Sequence, residues 1–329
     1  VSAFVRRQGG LQPGLLPARV GDEMEEVVAA ESALRGWLDA QLERTARLLA
    51  GAGIEVLVLK GPSLARTVYP DPALRPYDDL DLAVREADGD AAAGVLLAGG
   101  CAELPYEAEV ARASHGAAGD RLAPFHRVFQ LRAQGPRLEL HLDPLQLGIR
   151  ARGEEGRWHR ARPVPGLDGV LGLGPADTLL HLAVHAQKHG FARLLWLKDV
   201  DLLLRSEPAV DWDQALDCAR EEGLAASLWY CLELCAAILG TPVPPGPMAA
   251  LRPSPPLRAI YSAAWRLAVI AALESEPRRR AVQFHAAESW RGMLPSLVFM
   301  GRRPARAGAI WAAVRNRPVS RRSTSDVRS

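Results

Sequence analysis

The sequence lacks the cysteine patterns of zinc-binding or disulfide-linked proteins and the long apolar segments of membrane proteins. Its four cysteines lie in apolar surroundings and form no Cys-x-x-Cys pair, so neither a zinc knuckle nor a disulfide framework is indicated. No run of about 20 apolar residues could span a bilayer, and residues 1–20 hold no apolar segment of signal-peptide length. We therefore expect a soluble, cytoplasmic protein with reduced thiols and no membrane span.

A metalloprotease-type zinc motif is also absent. His181, His185 and His189 recur every four residues within a predicted helix, a spacing compatible with transition-metal ligands. However, no His-Glu-x-x-His pattern accompanies them, and no distant carboxylate is marked as a further ligand. A metal-dependent hydrolase that uses the His181/His185 helix is therefore a secondary alternative.

The chain is long enough for one large domain or two ordinary ones. Its 329 residues are 48% hydrophobic, the composition of a globular protein with a real core. Hydrophobic periodicity and proline content divide it into segments. These are an N-terminal extension (1–21), an α/β core with an N-terminal helix (22–160), a helical domain (161–240), a Pro-rich linker (241–256), a C-terminal helical segment (257–314) and a basic disordered tail (315–329).

Basic residues concentrate at the end of the chain. From Pro277 onward there are twelve arginines against two acidic residues, although the net charge of the whole chain is +2. Such an end can dock on nucleic acid, on an anionic surface or on an acidic partner. An ordinary solvated tail explains it equally well.

Two apolar runs with an acidic stretch between them carry the first chemical signal. Residues 54–59 (IEVLVL) predict a buried strand that ends at a Lys-Gly-Pro-Ser corner, and residues 63–69 predict a short helix. A loop with three prolines follows over residues 69–76. Residues 79–84 (DLDLAV) then alternate, so that Asp79 and Asp81 share one face of a strand and the leucines share the other.

A hairpin is predicted further along the chain. Residues 126–144 give two alternating runs around Gln-Gly-Pro, which is a β-hairpin signal. In the second arm, Glu139, His141 and Asp143 point to the face opposite the leucines. From residue 175 the pattern becomes helical.

Three carboxylates on strands call for a partner, because burying each of them costs several kcal/mol unless it is paired. Hard cations such as Mg²⁺ take carboxylate oxygens and leave positions open for water and phosphate. Two such ions can assist an in-line displacement at phosphorus. The corner before the short helix offers N–H groups and a helix dipole, which suit the phosphates of a nucleoside triphosphate.

The stretch LKGPSLARTVYPDPALRPYDDLDLAV resembles the signature of the uncharacterised nucleotidyltransferase family, a bacterial branch of the DNA polymerase beta-like nucleotidyltransferase superfamily. RLELHLD and HLAVHAQKHGFARLLWLKDVDLLL extend the resemblance over roughly residues 45–205. It implies an α/β (α+β) fold, with a small mixed-sheet nucleotidyltransferase core and flanking helices, followed by a mainly helical C-terminal domain.

The resemblance also implies functional residues. Asp79 and Asp81 would bind the metals and serve catalysis, with Glu139 as the third carboxylate. Gly61 and Ser63 would contact the triphosphate. In this chain Pro62 separates them and removes one backbone donor, so Ser63 either binds phosphate through its side chain or caps the helix.

Further candidates around the substrate each have an alternative. Lys60 either neutralises the triphosphate or pairs with Asp79 or Glu139 in a structural ion pair. Arg75 either clamps phosphate or holds the proline-rich loop. His141 is expected to support the site by a hydrogen bond, and His185 to contact nucleotide or acceptor. Asp199 is predicted to serve the same cleft as His185. For both residues, a core or helix-packing role is the main alternative.

The predicted function is a Mg²⁺-dependent nucleotidyltransferase that holds two ions and uses a nucleoside triphosphate such as ATP. It would transfer the nucleoside monophosphate to an acceptor hydroxyl or phosphate and release pyrophosphate. The alternative within this fold is an inactive nucleotide- or protein-binding relative. The fold does not choose the acceptor, which could be a small molecule, a peptide or protein, or RNA.

Overall fold

The structure is a computed structural model of the chain. It describes residues 18–104, 126–131, 136–145, 154–189, 191, 193–206, 209–256 and 258. Residues 1–17, the basic end from Pro277, the predicted tail and all but residue 258 of the predicted C-terminal helical segment lie outside these residues. Within the described ranges, no helix is long and apolar enough to cross a membrane.

The described residues form seven strands and nine α-helices. The strands are β1 (Leu57–Val58), β2 (Asp79–Ala83), β3 (Ala102–Glu103), β4 (His126–Gln130), β5 (Arg137–His141), β6 (Arg162–Pro163) and β7 (Leu171–Gly172). The helices are α1 (Ala18–Gly51), α2 (Lys60–Thr67), α3 (Gly89–Ala98), α4 (Glu154–Arg160), α5 (Pro175–Lys188), α6 (Leu194–Arg205), α7 (Trp212–Glu221), α8 (Ala225–Leu239) and α9 (Pro245–Leu251). Short 3₁₀ turns occupy Pro72–Leu74 and Glu86–Asp88.

The strands form one mixed sheet in the order β3-β4-β5-β2-β1-β7-β6. The predicted hairpin is confirmed, because β4 and β5 pair antiparallel. β2 runs parallel to β5 and antiparallel to β1. β2, which carries the Asp-x-Asp pattern, therefore lies in the middle of the sheet with the second arm of the hairpin beside it.

The two faces of the sheet have different roles. Leu80 and Leu82 belong to a large apolar core that also takes in side chains of α1 and α3, Phe129 of β4, and Leu138 and Leu140 of β5. Because side chains alternate along a strand, Asp79 and Asp81 point to the other face. On that face Ala83 joins a small cluster with Leu57 and Trp158.

The helices from α5 onward pack around their own apolar core. α5 is central and contacts α6, α7 and α8. Leu64 of α2 and Leu145, just after β5, are also part of this cluster. Since α2 lies at the corner after β1, the helical region packs next to the acidic face of the sheet.

Most of the predicted elements are present, and the mixed α/β fold class is confirmed. The predicted N-terminal helix is present as α1, which is one continuous helix over Ala18–Gly51. The predicted strand over 54–59 is reduced to two residues. The predicted Pro-rich linker contains helix α9, which begins after Pro244 and buries Leu251.

Candidate active site

The acidic residues are brought together by strand register. In the parallel pairing of β2 with β5, Asp81 lies opposite Glu139 and Asp79 lies opposite Arg137. Side chains directly opposite each other on one face of neighbouring strands are close enough to interact. The pairing therefore places the third predicted carboxylate next to Asp81.

Asp81 is the centre of the cluster and is 2% exposed. Its Oδ1 atom accepts a hydrogen bond from Lys60 Nζ at 2.7 Å. The same oxygen lies 2.7 Å from His141 Nε2, and since the ionised carboxylate can only accept, His141 donates here. His141 Nε2 is also 3.5 Å from Glu139 Oε2.

Electrostatics within the cluster are strongly coupled. Burial and the charge of Asp81 raise the pKa of Asp79 to about 6. Although burial opposes it, the charge of Lys60 and the hydrogen bond from His141 hold the pKa of Asp81 well below its ordinary value. Burial lowers the pKa of Lys60, but Asp81 and Glu139 outweigh this effect and raise it. The cluster thus contains three carboxylates, those of Asp79, Asp81 and Glu139, and one ammonium group, that of Lys60.

The spacing of ligand atoms allows a metal ion at this position. One ligand atom each from Asp81, Glu139 and His141 can be chosen within 4.8 Å of one another. The predicted set differs, because it contains Asp79 where this group contains His141. While His141 donates its Nε2 proton to Asp81, that nitrogen has no lone pair for a metal, so His141 holds Asp81 in place.

The corner after β1 is formed in an unexpected way. Lys60 itself adopts a left-handed backbone with φ of 49°, which is uncommon for a residue other than glycine. Gly61 is needed for a close approach, because a Cβ at this position would lie 2.5 Å from Tyr77 Cβ. α2 therefore packs tightly against the segment that leads into β2, and this packing fixes Lys60 above Asp81.

Ser63 lies against strand β7 of the sheet. Its Oγ would be 2.9 Å from a Cβ placed on Gly172 of β7. Leu59 is the N-cap residue of α2, and no side-chain hydrogen bond caps this helix. The capping alternative for Ser63 thus has no support in the structure, and Ser63 stays a phosphate-contact prediction.

Arg75 takes part in a buried ion pair. Its Nε and Nη2 bind the two carboxylate oxygens of Asp199 on α6 at 2.7 and 2.9 Å. Nη1 donates to the carbonyl of Pro76, and the Tyr69 hydroxyl donates to Asp199 at 2.7 Å. These contacts favour the interpretation that Arg75 holds the proline-rich loop, and they place Asp199 in packing between the core and the helical region.

The charges of the acidic cluster act on the histidines of α5. Burial and the charge of Lys60 lower the pKa of His181 to about 3, and Asp81 and His141 also act on it. Burial and Lys60 likewise hold the pKa of His185 well below its ordinary value. Both imidazoles are therefore neutral near pH 7, and they lie within electrostatic reach of the cluster.

Comparison with known proteins gives the family. A model described as "Uncharacterised nucleotidyltransferase" matches residues 8–240 of the chain, which is well over half of its length. The chain belongs to the uncharacterised nucleotidyltransferase family. A search among curated proteins found no match. The predicted resemblance is confirmed, and this membership supports a nucleotidyltransferase function and a nucleotide substrate.

In this member of the family, some features of the site were signalled in the sequence and others were not. The hydrogen bond of His141 to Asp81 was signalled by its position two residues after Glu139. His181 was visible as a member of the histidine repeat but was not among the predicted site residues. Trp196, whose ring contacts His185 edge-on at a centroid distance of 5.2 Å, gave no sequence signal. Among the described residues, no group of three potential metal ligands includes an α5 histidine.

Proposed function

We propose that this chain is a Mg²⁺-dependent nucleotidyltransferase that transfers a nucleoside monophosphate from a nucleoside triphosphate to an acceptor. The reaction joins a nucleophilic oxygen or nitrogen of the acceptor to the α-phosphorus. It breaks the bond between the α-phosphorus and the oxygen bridging to the β-phosphate, and it releases pyrophosphate and one proton. The observation that carries the proposal is the register of β2 with β5, which sets Glu139 opposite Asp81 with Asp79 two residues away on the same face.

The donor set fits a hard divalent cation. Asp79, Asp81 and Glu139 offer carboxylate oxygens, the ligands that Mg²⁺ prefers. Burial and the charge of Asp81 raise the pKa of Asp79 although Lys60 opposes them, and a bound cation would favour the ionised carboxylate. When bound, the cation would polarise phosphate oxygens and neutralise the charge that develops during transfer.

The protein residues have distinct proposed roles around the triphosphate. Lys60 offers an ammonium beside the carboxylates, which can offset phosphate charge. Gly61 and Ser63 lie in the first turn of α2, where backbone N–H groups favour anions. His141 keeps Asp81 ionised and oriented through its hydrogen bond. Positioning and electrostatics of this kind supply most of the catalysis in phosphoryl-type transfer.

The test follows labelled product and pyrophosphate. The full chain is incubated with Mg²⁺, each α-labelled nucleoside triphosphate and a panel of acceptors, beside Asp79→Asn and Asp81→Asn. We expect transfer by the wild type and a loss of about a hundredfold or more in both variants, because each loses a proposed metal ligand. Asp78→Asn is the matched control, since Asp78 is exposed and adjacent in sequence.

Binding provides a readout that needs no acceptor. Isothermal titration should detect the triphosphate in the presence of Mg²⁺ and not in the presence of a chelator. A wild type that neither binds the triphosphate with Mg²⁺ nor releases pyrophosphate would refute the proposed activity. Variants as active as the wild type would refute the assignment of the site.

A further inference from the structure

One imidazole nitrogen of His181, Nε2, is buried and has no hydrogen-bond partner in the part of the chain that the structure describes. The side chain is 2% exposed, and Nδ1 lies 2.5 Å from the carbonyl oxygen of Pro144. A carbonyl oxygen can only accept a hydrogen bond, so the ring proton is on Nδ1. Nε2 is therefore a bare lone pair, and it has no hydrogen-bond partner among the described residues.

The position of this lone pair is set by the fold. Pro144 lies three residues after His141, so its bond to His181 ties α5 to the end of β5 next to the acidic cluster. The charges of Lys60, Asp81 and His141 all act on the His181 imidazole. A buried acceptor left without a donor costs about 1 to 3 kcal/mol, so this arrangement is stabilised by a ligand that brings a proton.

His185 extends the same surface by one helical turn. Its ring stacks on that of His181 at a centroid distance of 6.3 Å and an interplanar angle of 13°. Its Nδ1 is also buried without a hydrogen-bond partner in the described part of the chain. Trp196 of α6 contacts the ring of His185 edge-on.

We propose that His181 Nε2 binds the attacking group of the acceptor, and that the acceptor is therefore an alcohol or an amine. A hydroxyl or amino group brings a hydrogen atom to Nε2 while its own lone pair remains available for the α-phosphorus. The oxygens of a phosphate or carboxylate would instead turn lone pairs toward the lone pair of His181 Nε2. They would also bring further negative charge next to the three carboxylates of the cluster. The inference rests on the proposed function and excludes phosphate as the acceptor group, which the sequence had left open.

The substitution His181→Asn distinguishes the roles of the two imidazole nitrogens. In His181→Asn, the amide nitrogen can still donate to Pro144 where Nδ1 did, but nothing reaches the position of Nε2. His181→Gln offers a polar group closer to that position. His159→Asn is the matched control, because His159 is exposed on α4.

The first measurement is ¹⁵N NMR of histidine-labelled full-length protein at neutral pH, with the His181 signals assigned by their loss in His181→Asn. We expect protonated Nδ1 and unprotonated Nε2. A proton on Nε2 would overturn the proposal, because the site would then offer a donor. This result does not depend on catalysis.

The second measurement uses an alcohol, an amine and a monoalkyl phosphate of the same carbon chain, with Mg²⁺ and labelled triphosphate. We expect transfer to the alcohol or amine and not to the phosphate. His181→Asn should lower kcat/KM for the acceptor by about 10- to 100-fold, with partial recovery in His181→Gln. The Kd of the Mg²⁺-triphosphate should remain within about twofold, and His159→Asn should match the wild type.

Two results contradict the inference. Transfer to the alkyl phosphate at the rate of the alcohol would overturn the acceptor class, and an unchanged kcat/KM in His181→Asn would overturn the role of Nε2. Failure of the proposed function has a different signature, because the wild type would then not bind the triphosphate, whatever the tautomer of His181.

Discussion

At the scale of single residues, Asp79 carries its charge at a cost to stability. Its pKa is about 6 in the folded protein against an ordinary value of 3.8, so folding favours the protonated carboxyl. The wild type therefore loses stability as the pH rises between these values, and ionised Asp79 is destabilising at neutral pH. Binding sites commonly keep such groups at the expense of stability.

We predict that Asp79→Asn raises the free energy of unfolding by about 1 to 2 kcal/mol at neutral pH without divalent cations, allowing for partial solvent screening. Urea unfolding in a chelating buffer measures this change. Asp78→Asn should alter stability by less than about 0.5 kcal/mol, since Asp78 is exposed. A less stable Asp79→Asn protein would show that the carboxylate is structurally required.

His181 makes a second residue-scale prediction, with the opposite dependence on pH. Its pKa is lowered from 6.5 to about 3, so between these values the unfolded chain binds a proton that the folded protein does not. Stability should therefore fall as the pH falls below 6.5. One such group contributes about 1.4 kcal/mol between roughly pH 7.5 and 5.5.

His181→Asn should lack this contribution. Urea unfolding of wild type and variant at the two pH values isolates it, because the other groups that titrate are common to both proteins. From the higher to the lower pH, the free energy of unfolding of the wild type should fall by about 1 kcal/mol more than that of His181→Asn. An equal pH dependence in both proteins would mean that His181 titrates normally.

At the scale of elements, the packing of α2 against the segment before β2 determines where Lys60 lies. A methyl group on Gly61 would meet Tyr77 Cβ at 2.5 Å, and a Cβ cannot move away by changing rotamer. Gly61→Ala should therefore displace α2 and lower the free energy of unfolding by about 1 to 3 kcal/mol. Thermal or urea unfolding measures the loss.

Gly94 in α3 offers the matched control for this substitution. Nothing lies within 4 Å of a Cβ at Gly94. Gly94→Ala should therefore stabilise the protein by about 0.5 to 1 kcal/mol, because alanine is the better helix former. If both substitutions were neutral, the close approach at Gly61 would not be a constraint.

At the scale of the whole molecule, Arg75 and Asp199 connect the sheet region to the helical region. Asp199 is fully buried, and its two oxygens hold Arg75 across 124 residues of sequence. Asp199→Leu would leave the buried guanidinium without its carboxylate. We predict a loss of about 3 to 5 kcal/mol in the free energy of unfolding.

The double variant Arg75→Met with Asp199→Leu should lose less stability than Asp199→Leu alone, since neither charge then remains. Asp217→Asn, which removes an exposed partner of Arg220, should cost less than about 0.5 kcal/mol. If the double variant were the least stable of the set, the pair would stabilise the protein by more than the compensation of each buried charge by the other.

Much of the fold was predictable, because its signals are local. The hairpin around β4 and β5 and the helices from residue 175 follow from hydrophobic periodicity within short windows. The helix inside the Pro-rich segment was not predictable, because prolines at its start are compatible with both a linker and a first helical turn. The partner of Arg75 was hidden because Asp199 is remote in sequence and no local rule couples the two residues.

By itself, the sequence determined that Asp79 and Asp81 share one face of a strand and Leu80 and Leu82 the other, because side chains alternate with a period of two. It also marked Glu139 and His141 as neighbours on one face of a second strand. Only the tertiary structure decided that Lys60 and His141 converge on one oxygen of Asp81, and that His181 Nε2 is buried without a hydrogen-bond partner in the described part of the chain. Those contacts depend on strand register and helix packing, which arise between segments distant in sequence.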